Sequence, residues 1–354
     1  MKIAIIAANN IYVSPYIFFY THLLESMRIE YELIIPDRHG AEETFNGIVH
    51  KLPWNKKRPT VLNYILYSRA VHKLVTKSNY SGLVVLTTNN AAFFSVWLLK
   101  KFNAKYIVDI RDYTHENIKP FFWLEGLAVN HSAVNVISSE RFKKFLPKAD
   151  YAIVHNLPKY AEAKNRFIKK KEGPIVLGYV GAIGYVEQCK KLMDLVKNDS
   201  RFAFVFYGTS EYEHQLRTYA KNLSCDRIRF HGRYNNTEKM EIIRNIDILF
   251  NAYGDGNPLL DYALSNKLYD AMVCKKPILT SPRTYMDELG GLLSYPIDLQ
   301  TEENLDALYD WYMNLPEEEV EGFADQMMQK FTEENAHTEQ MIRKKLLEIL
   351  EIEC

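Results

Sequence analysis

The sequence predicts an α/β protein of two doubly wound domains that face each other across a cleft. Short β-branched and aromatic runs alternate with longer helical patterns along the whole chain, which is typical of parallel sheets joined by right-handed crossovers. The strand candidates are nearly continuous apolar runs, as expected for strands covered on both faces. The length of 354 residues allows two domains of about 100–200 residues each.

The strand candidates divide into two series, with a polar and basic segment between them that is bounded by prolines. The first series comprises residues 2–7, 31–36, 83–88, 105–110, 133–138 and 150–155, and the second comprises 175–181, 202–208, 227–232, 247–253 and 277–281. The segment between the series, 157–174, predicts a linker. We therefore expect one domain at 1–157, a second at 158–334, and a C-terminal helix at about 335–354 that packs back on the first.

The composition excludes several classes of protein. Lys and Arg together number 44, as do Asp and Glu, and this balance argues against a general nucleic-acid binder, which usually has a basic excess. The four scattered cysteines form no CxxC pair, which favours free thiols in a reducing cytoplasm. No uninterrupted apolar run approaches about 20 residues, so we expect no membrane-spanning helix. No cluster with metal-ligand spacing appears.

The stretch NKLYDAMVCKKPILTSP, residues 266–282, predicts a helix that leads into a buried strand. Ser265 or Asn266 can cap the helix. Asn266, Lys267 and Asp270 share one face, near a helix N-terminus whose free N–H groups and partial positive charge favour a diphosphate. Asp270 can accept hydrogen bonds from a vicinal diol such as a ribose. Plain capping with a solvated face is the alternative.

Four loops in the second half follow strands and contain glycines. GYVGAIGYVEQCKK (178–191) turns from strand to helix at Gly181, where backbone can approach a phosphate. YGTSE (207–211) and HGRY (231–234) close the next two strands. NAYGDGNPLL (251–260) predicts an irregular loop. Each is open to a second interpretation as a plain turn.

The richest charged segment of the first half is DIRDYTHENIKP, residues 109–120. Asp109, Arg111, Asp112, His115 and Glu116 crowd the end of one predicted strand, which is typical of a site in a doubly wound sheet. The alternative is a loop in which Arg111 pairs with Asp109 or Asp112.

Two further segments mix basic and aromatic residues. These are PWNKKRPTVLNYILYSR (53–69) and KPFFWLEG (119–126), and both suit contact with anionic lipid headgroups. A solvated loop with a core-facing aromatic cluster is the alternative interpretation.

The stretch NKLYDAMVCKKPILTS resembles the donor-site helix of family-4 glycosyltransferases and their relatives with the GT-B fold. The pattern of that family is roughly (P/N)-K-L-(F/Y)-E-(Y/A)-M-A-x-G-K-P-(V/I)-(I/L). The resemblance covers residues 178–282 and implies two Rossmann-like domains. It places Asp270 where a Glu binds the ribose hydroxyls of a nucleotide-sugar, and it places Asn266 and Lys267 in the donor site.

The resemblance assigns further residues to the substrates. Gly181 and Ala182 lie in the diphosphate loop, Gly208 and Arg233 border the base, and the loop with Asp255 and Asn257 binds the sugar. His115 or Asp112 contacts the sugar from the first domain. Asn9 and Asn10, where the family usually has glycines, border the donor diphosphate and the acceptor.

Three positions depart from the family pattern. Tyr262 stands where a second acidic residue is usual, Lys275 replaces a loop glycine, and Ala182 replaces an Arg that binds the diphosphate. Because this Arg is missing, we expect Lys267 to provide most of the positive charge. Arg283 is a second candidate.

The implied function is a retaining glycosyltransferase with a nucleotide-sugar donor and a glycan or lipid-linked oligosaccharide acceptor, in bacterial surface polysaccharide assembly. The resemblance implies no cofactor and no required metal, and the composition implies no nucleic-acid partner. We expect the protein in the cytoplasm, with a peripheral contact at the inner face of the plasma membrane. A nucleotide-sugar epimerase of the same fold and a non-catalytic partner subunit remain as alternatives.

Overall fold

The computed structural model describes residues 1–38, 40, 44–158 and 165–351. Within it, the chain forms two units, each built around a parallel sheet. Unit 1 comprises Met1–His155 and Glu333–Cys354, and unit 2 comprises Asn156–Thr332. Residues 159–164 of the expected linker, and the last three residues of the expected C-terminal helix, lie outside the described residues.

The sheet of unit 1 has seven strands in the order β3-β2-β1-β4-β5-β6-β7. Every adjacent pair is parallel. The strands are β1 (Lys2–Ile6), β2 (Glu30–Asp37), β3 (Val49–Pro53), β4 (Gly82–Leu86), β5 (Tyr106–Ile110), β6 (Val134–Ile137) and β7 (Ala152–Ile153).

Four helices of unit 1 connect these strands: α1 (Ile17–Ser26), α2 (Thr60–Lys77), α3 (Thr88–Phe102) and α4 (Lys119–Val129). The chain runs from β3 through β4 and β5 to β6 in one direction across the sheet. Right-handed crossovers therefore place α2, α3 and α4 on one face. The step from β1 to β2 runs the other way and places α1 on the opposite face.

The sheet of unit 2 has six parallel strands in the order β10-β9-β8-β11-β12-β13. They are β8 (Ile175–Val180), β9 (Phe202–Tyr207), β10 (Ile228–Gly232), β11 (Ile248–Asn251), β12 (Ile278–Thr280) and β13 (Ser294–Pro296). The helices are α5 (Val186–Asn198), α6 (Glu213–Leu223), α7 (Lys239–Arg244), α8 (Pro258–Tyr262), α9 (Asn266–Cys274), α10 (Tyr285–Gly290), α11 (Asp306–Asn314) and α12 (Glu317–Leu350). The predicted fold class, two doubly wound parallel sheets, is confirmed.

Two structural details correct the sequence interpretation. The edge strands β3 and β13 were not among the predicted strands. Residues from Asn165 onward are packed into unit 2 rather than forming a linker: Phe167 is buried in its core, and the Phe167 N–H donates to Glu321 Oε1 at 2.9 Å. Burial of the Phe167 ring removes apolar surface from water, so packing of this segment on unit 2 is more favourable than a solvated linker.

Helix α12 begins in unit 2 and ends in unit 1. In unit 1, Ile342, Leu346 and Leu350 pack with α1 and with the strands that α1 covers. Arg343 also donates to the Ser26 hydroxyl at 2.6 Å. The second half of α12 therefore contributes part of the apolar core of unit 1.

Candidate active site

The carboxyl ends of β8, β9 and β10 meet at glycines that lie against one another. The Gly181 N–H donates to Tyr207 O at 2.9 Å, and the Gly208 N–H donates to Gly232 O at 2.8 Å. Gly208 has a φ of +135°, and a Cβ added there would lie 1.8 Å from Gly181 O. Because no side chain fits in that space, glycine at 208 lets the two loops approach each other.

The loop after β8, residues 181–185, is held by a tyrosine from the strand before it. The Tyr179 hydroxyl donates to Ala182 O and accepts from the Gly184 N–H, each at 3.0 Å. Ala182 itself is exposed. Gly181 has a φ of +121°, which an L side chain rarely adopts. The loop is therefore fixed at the start of α5, as the phosphate-loop hypothesis requires.

Helix α9 begins as the sequence predicts, with Ser265 as its cap. The Ser265 hydroxyl accepts from the Lys267 N–H at 3.1 Å. Asn266 is exposed, and its side-chain oxygen accepts from Asn156 Nδ2 at 2.9 Å. The choice between Ser265 and Asn266 as the cap is thus settled in favour of Ser265.

The Lys267 side chain lies among aromatic rings beside the β8 loop. Its ammonium donates to the Tyr253 hydroxyl and lies 4.7 Å from the ring centroid of Tyr179. Tyr185 stacks on Tyr253 with centroids 3.9 Å apart. A Cβ on Gly181 would lie 3.8 Å from Lys267 Nζ. The ammonium therefore sits next to the loop where a phosphate is expected.

The protonation of Lys267 is sensitive to this environment. Burial lowers the pKa of Lys267 to about 8; the charge of Lys239 lowers it further, while Asp270 opposes the shift. The aromatic rings and the Tyr253 hydroxyl around the ammonium are uncharged. They therefore replace only part of the hydration that Lys267 loses on burial. An anion at this position would stabilise the charged ammonium.

Asp270 lies one turn further along α9 and pairs with Lys239 at the start of α7. The two charged groups are 2.5 Å apart, and only 3% of the Asp270 side chain is exposed. Burial raises the pKa of the Asp270 carboxyl, while Lys239 and Lys267 lower it. The two lysines thus favour the ionised carboxylate that a diol-binding role needs.

The loop after β11 holds Asp255 and Asn257 in local contacts. Asp255 pairs with the exposed Arg283 at 2.7 Å. Asn257 caps α8 by accepting from the Leu259 N–H at 2.9 Å. In the described chain, Arg283 therefore has an acidic partner, unlike Lys267, which contacts neutral groups through its ammonium.

Two residues near the end of β10, the charged Arg233 and the aromatic His231, are candidates for contact with the nucleotide base. Arg233 is exposed in the segment that follows the strand. The ring of His231 stacks on Tyr207 with centroids 4.3 Å apart. Gly208 lies next to this pair in the chain, which puts Gly208 and the stacked rings at the same edge of the sheet.

In unit 1, the charged segment after β5 separates into a buried part and an exposed part. Arg111 binds both oxygens of Asp109, at 2.5 and 2.7 Å, and donates to Val154 O at 2.8 Å. Tyr20 donates to the same carboxylate at 2.7 Å. The ion-paired interpretation thus holds for Asp109 and Arg111.

Asp112 and His115 form the exposed part. The His115 ring meets Phe121 edge-on, with centroids 5.5 Å apart. Glu116 is buried and accepts from the Thr114 N–H at 2.6 Å. Of the ionisable side chains from Asp109 to Glu116, those of Asp112 and His115 are accessible to a ligand.

Asn9 and Asn10 follow β1 with different surroundings. Asn10 is fully buried, and its side-chain oxygen accepts from the Arg38 N–H at 3.1 Å. Asn9 is half-buried and accepts from the Asn10 N–H at 2.9 Å. Asn10 therefore has a role in fixing the loop, and Asn9 is the more accessible of the two.

Sequence reasoning missed the tyrosines around Lys267 and the partner of Asp270. Tyr179 and Tyr185 flank one loop, Tyr253 comes from a second segment, and Lys239 comes from a third. The stretch YVGAIGY, with a tyrosine on each side of the glycine loop, is the one local signal that pointed to this arrangement.

The described residues contain neither a candidate metal site nor a candidate membrane span. No group of three or more His, Cys, Asp or Glu side chains there is arranged to hold a metal ion. No helix in that part of the chain combines the length and the apolar character needed to cross a membrane.

Comparisons with known proteins agree with this geometry. Residues 161–289 match the family model described as "Glycosyl transferases group 1". This segment is therefore similar to a glycosyltransferase domain. The match includes the β8 loop, Lys267 and Asp270, and it supports an enzyme of the transferase class. A comparison with curated protein sequences finds no match.

Solved structures share the fold over nearly the whole chain. Sucrose-phosphate synthase from Thermosynechococcus elongatus has a TM-score of 0.69 at 11% identity, covering 97% of this chain and 98% of that one. HepE from Anabaena, in complex with UDP and glucose, has a TM-score of 0.67 at 12% identity, covering 97% and 100%. The lipopolysaccharide outer core galactosyltransferase WaaB has a TM-score of 0.63 at 14% identity, covering 92% and 95%. The fold is GT-B.

Proposed function

We propose that this protein transfers a hexosyl-type sugar from a nucleotide-sugar to a glycan or a lipid-linked oligosaccharide, with retention of the anomeric configuration. The observation that carries the proposal is the position of Lys267, whose ammonium lies beside the β8 loop at the start of α9. Two structural neighbours, HepE in complex with UDP and glucose and the outer core galactosyltransferase WaaB, support this choice.

The leaving diphosphate is the group that such a transfer must stabilise. Lys267 supplies a positive charge, and the start of α9 adds its partial positive charge. In the loop at Gly181 and Ala182, the Ala182 N–H supplies the hydrogen bond, because the Gly181 N–H donates to Tyr207 O. Arg283 is engaged with Asp255, so Lys267 takes the main share of the charge that the family's missing Arg would have supplied.

The remaining parts of the donor are assigned to neighbouring groups of unit 2. Asp270, paired with Lys239, binds the ribose hydroxyls. Gly208 and Arg233 border the base. The sugar is bound by the loop with Asp255 and Asn257 and by Asn266.

Residues of unit 1 are assigned to the sugar and the acceptor. We assign Asp112 and His115 to the sugar because they are the accessible ones among the ionisable side chains that crowd the end of β5. Asn9, the more accessible of the two asparagines after β1, borders the acceptor, and the buried Asn10 holds its loop in place. His115→Ala and Asp112→Asn should reduce turnover and leave the affinity for free nucleotide nearly unchanged. Wild-type turnover in both variants would place the sugar contacts elsewhere.

The setting that we propose is the assembly of bacterial surface polysaccharide in the cytoplasm. The cysteines at 189, 225 and 274 are free thiols, which suits a reducing compartment. The proposal includes no cofactor and no resident metal, so a chelator should not reduce turnover.

Ligand-dependent thermal unfolding tests the donor assignment. UDP, GDP, CMP and ADP are compared at equal concentration, and the matching nucleotide at about 100 times its dissociation constant should add about 2.7 kcal/mol of stability. No stabilisation by any of the four would contradict the proposal.

The reaction itself is tested with the matching nucleotide-sugar and a set of glycan acceptors. An α-linked donor should give an α-linked product, which NMR detects from the anomeric proton. A β-linked product would contradict retention. Conversion of the nucleotide-sugar into an isomer without acceptor would identify an epimerase. Binding without any conversion would favour the non-catalytic alternative.

A further inference from the structure

Unit 1 contains a long segment without acidic residues. No Asp or Glu occurs from Thr44 to Val108. The same range contains the basic residues Lys51, Lys56, Lys57, Arg58, Arg69, Lys73, Lys77, Lys100, Lys101 and Lys105. Since the whole chain has equal numbers of acidic and basic residues, this local excess is compensated elsewhere in the molecule.

The acidic residues that follow this segment are mostly inside the protein. Asp109, Glu116 and Glu125 are buried, and burial raises the pKa of the Glu125 carboxyl to about 9, so it is neutral at pH 7. Across residues 44–139, all of which the structure describes, Asp112 is the one exposed carboxylate.

Five of these basic residues lie on one layer of helices. Helix α3 packs against both α2 and α4, and the three share a face of the sheet. Arg69, Lys73 and Lys77 are exposed along α2, and Lys100 and Lys101 are exposed near the end of α3. We call the outer surface of α2, α3 and α4, with the preceding residues 55–59, the basic helix layer.

Apolar side chains are exposed on the same layer, concentrated in the first turns of its outer helices. Trp123 of α4 is 65% exposed and Val61 of α2 is 60% exposed. Other exposed apolar residues of the layer are Leu62, Ile65, Val96, Ile118 and Phe122. Trp123 and Phe122 also line a groove of about 430 Å³ whose wall includes Lys148.

Other aromatic residues that the sequence offered for lipid contact are part of the interior. Tyr64 and Tyr67 are buried. The Trp54 ring receives the Arg38 guanidinium at 4.0 Å from its centroid. We therefore do not assign Trp54, Tyr64 and Tyr67 to lipid contact. We assign that role to α4 and to the aliphatic residues of α2.

The opposite face of unit 1 has a different charge pattern. It is covered by α1 and by the end of α12, where acidic and basic residues alternate and pair. Arg343 pairs with Glu339 at 2.6 Å, and Lys345 pairs with Glu348 at 2.7 Å. Attraction to an anionic surface would therefore orient unit 1 with the basic helix layer toward it.

We propose that the basic helix layer binds the surface of an anionic lipid bilayer, with Lys56, Lys57 and Arg58 at the headgroups and Trp123 in the interfacial region. Basic side chains near an anionic leaflet and amphipathic aromatic rings at the headgroup level are the two attractions that hold a protein on a membrane without spanning it. This inference does not depend on the transfer reaction, because binding requires neither donor nor acceptor.

Vesicle flotation of the full chain tests the proposal. The protein should float with vesicles of phosphatidylglycerol and phosphatidylcholine in equal amounts, and it should stay behind with vesicles of phosphatidylcholine alone. Raising the salt concentration should release it, because exposed charges are screened over a Debye length of about 10 Å at 0.1 M and about 3 Å at 1 M. Equal binding to both kinds of vesicle would overturn the proposal.

A charge-reversal pair localises the surface. Lys56→Glu, Lys57→Glu and Arg58→Glu combined should weaken partitioning by roughly 100-fold or more, given the contribution of each basic residue near an anionic leaflet. The matched control is Lys191→Glu, Lys197→Glu and Lys221→Glu, three exposed lysines on helices α5 and α6 of unit 2. Equal weakening by both triple variants would mean that net charge alone controls binding.

Trp123 gives a second measurement that does not rely on affinity. Its fluorescence should shift to shorter wavelength when anionic vesicles are added, and Trp123→Phe should abolish the shift while retaining most of the binding. A shift that persists in this variant would place the contact elsewhere. Binding to duplex DNA as tight as to anionic vesicles would identify a general polyanion surface instead and would overturn the proposal.

Discussion

Asp109 and Arg111 in unit 1, and Lys267 in unit 2, all belong to segments at the carboxyl ends of parallel strands, yet their charges are balanced differently. Arg111 meets both oxygens of Asp109, and the pair is almost fully buried. Lys267 contacts a hydroxyl and two aromatic rings through its ammonium. A charged side chain that pairs with an opposite charge of the same protein stabilises the fold. A charged side chain surrounded by neutral groups gains more from binding an anionic ligand.

The pairing in unit 1 can be broken by Asp109→Ala. The variant leaves the Arg111 guanidinium buried without its carboxylate, and we expect a loss of about 3–5 kcal/mol in the free energy of unfolding. Urea-induced unfolding followed by circular dichroism measures it. The double variant Asp109→Leu with Arg111→Met should recover most of the stability because it removes both charges. A single variant as stable as the wild type would contradict a structural role for the pair.

In unit 2, Asp270→Ala removes the carboxylate assigned to the ribose. Nucleoside binding should weaken by about 1.5–3 kcal/mol, the scale of hydrogen bonds to a charged group. Isothermal titration measures the change. Asp255→Ala is the control, because it removes an ion pair with the exposed Arg283 and should leave nucleoside affinity unchanged. Unaltered affinity in a folded Asp270→Ala protein would remove the ribose assignment.

Lys267→Met sharpens the comparison by removing the charge while keeping an unbranched apolar chain. Binding of a nucleoside diphosphate should weaken by about 1–3 kcal/mol more than binding of the matching nucleoside. Titration of both ligands into both proteins isolates that difference. Equal losses would mean that Lys267 serves packing only, and Arg283 would be the next residue to test.

The smallest expected effect is a proton taken up on binding. Burial lowers the pKa of Lys267 to about 8, below the value of about 10.4 for an unperturbed lysine. The unfolded chain therefore binds more protons between these two values. The cost of burying the charge is fully present below pH 8 and is relieved as pH rises toward about 10.

A diphosphate beside Lys267 raises its pKa again, so binding slightly above pH 8 should be accompanied by proton uptake. Calorimetry in two buffers with different ionisation enthalpies measures the number of protons. Lys267→Met should abolish the pH-dependent uptake while other ionisations remain. An identical uptake in this variant would assign the proton to another group.

The predicted strands were those with a continuous apolar run. The interior strand β4, with the sequence GLVVL, is buried throughout. It has a strand on each side, so its side chains have to be apolar. The edge strands β3, with the sequence VHKLP, and β13, with the sequence SYP, are short and partly exposed. Each has a strand on one side only, so their polar residues and terminal prolines are tolerated and carry no strand signal.

The site could be predicted where its residues are neighbours in the chain. Lys267 and Asp270 share a helix, so their common face followed from periodicity. Lys239 and Tyr253 reach the same region from other elements, and no local spacing shows such contacts. The pairing of Asp109 with Arg111 was one of two open interpretations, because the sequence shows that the charges are close but does not show which of them is buried.

The course of helix α12 has a consequence for how the protein is made. Unit 1 begins the chain, yet Ile342, Leu346 and Leu350, which complete its apolar core, are synthesised after all of unit 2. Domains usually fold during synthesis in order from the N-terminus. The ribosome therefore has to synthesise unit 2 before unit 1 can complete its apolar core. Unit 1 is synthesised first but completes its folding last.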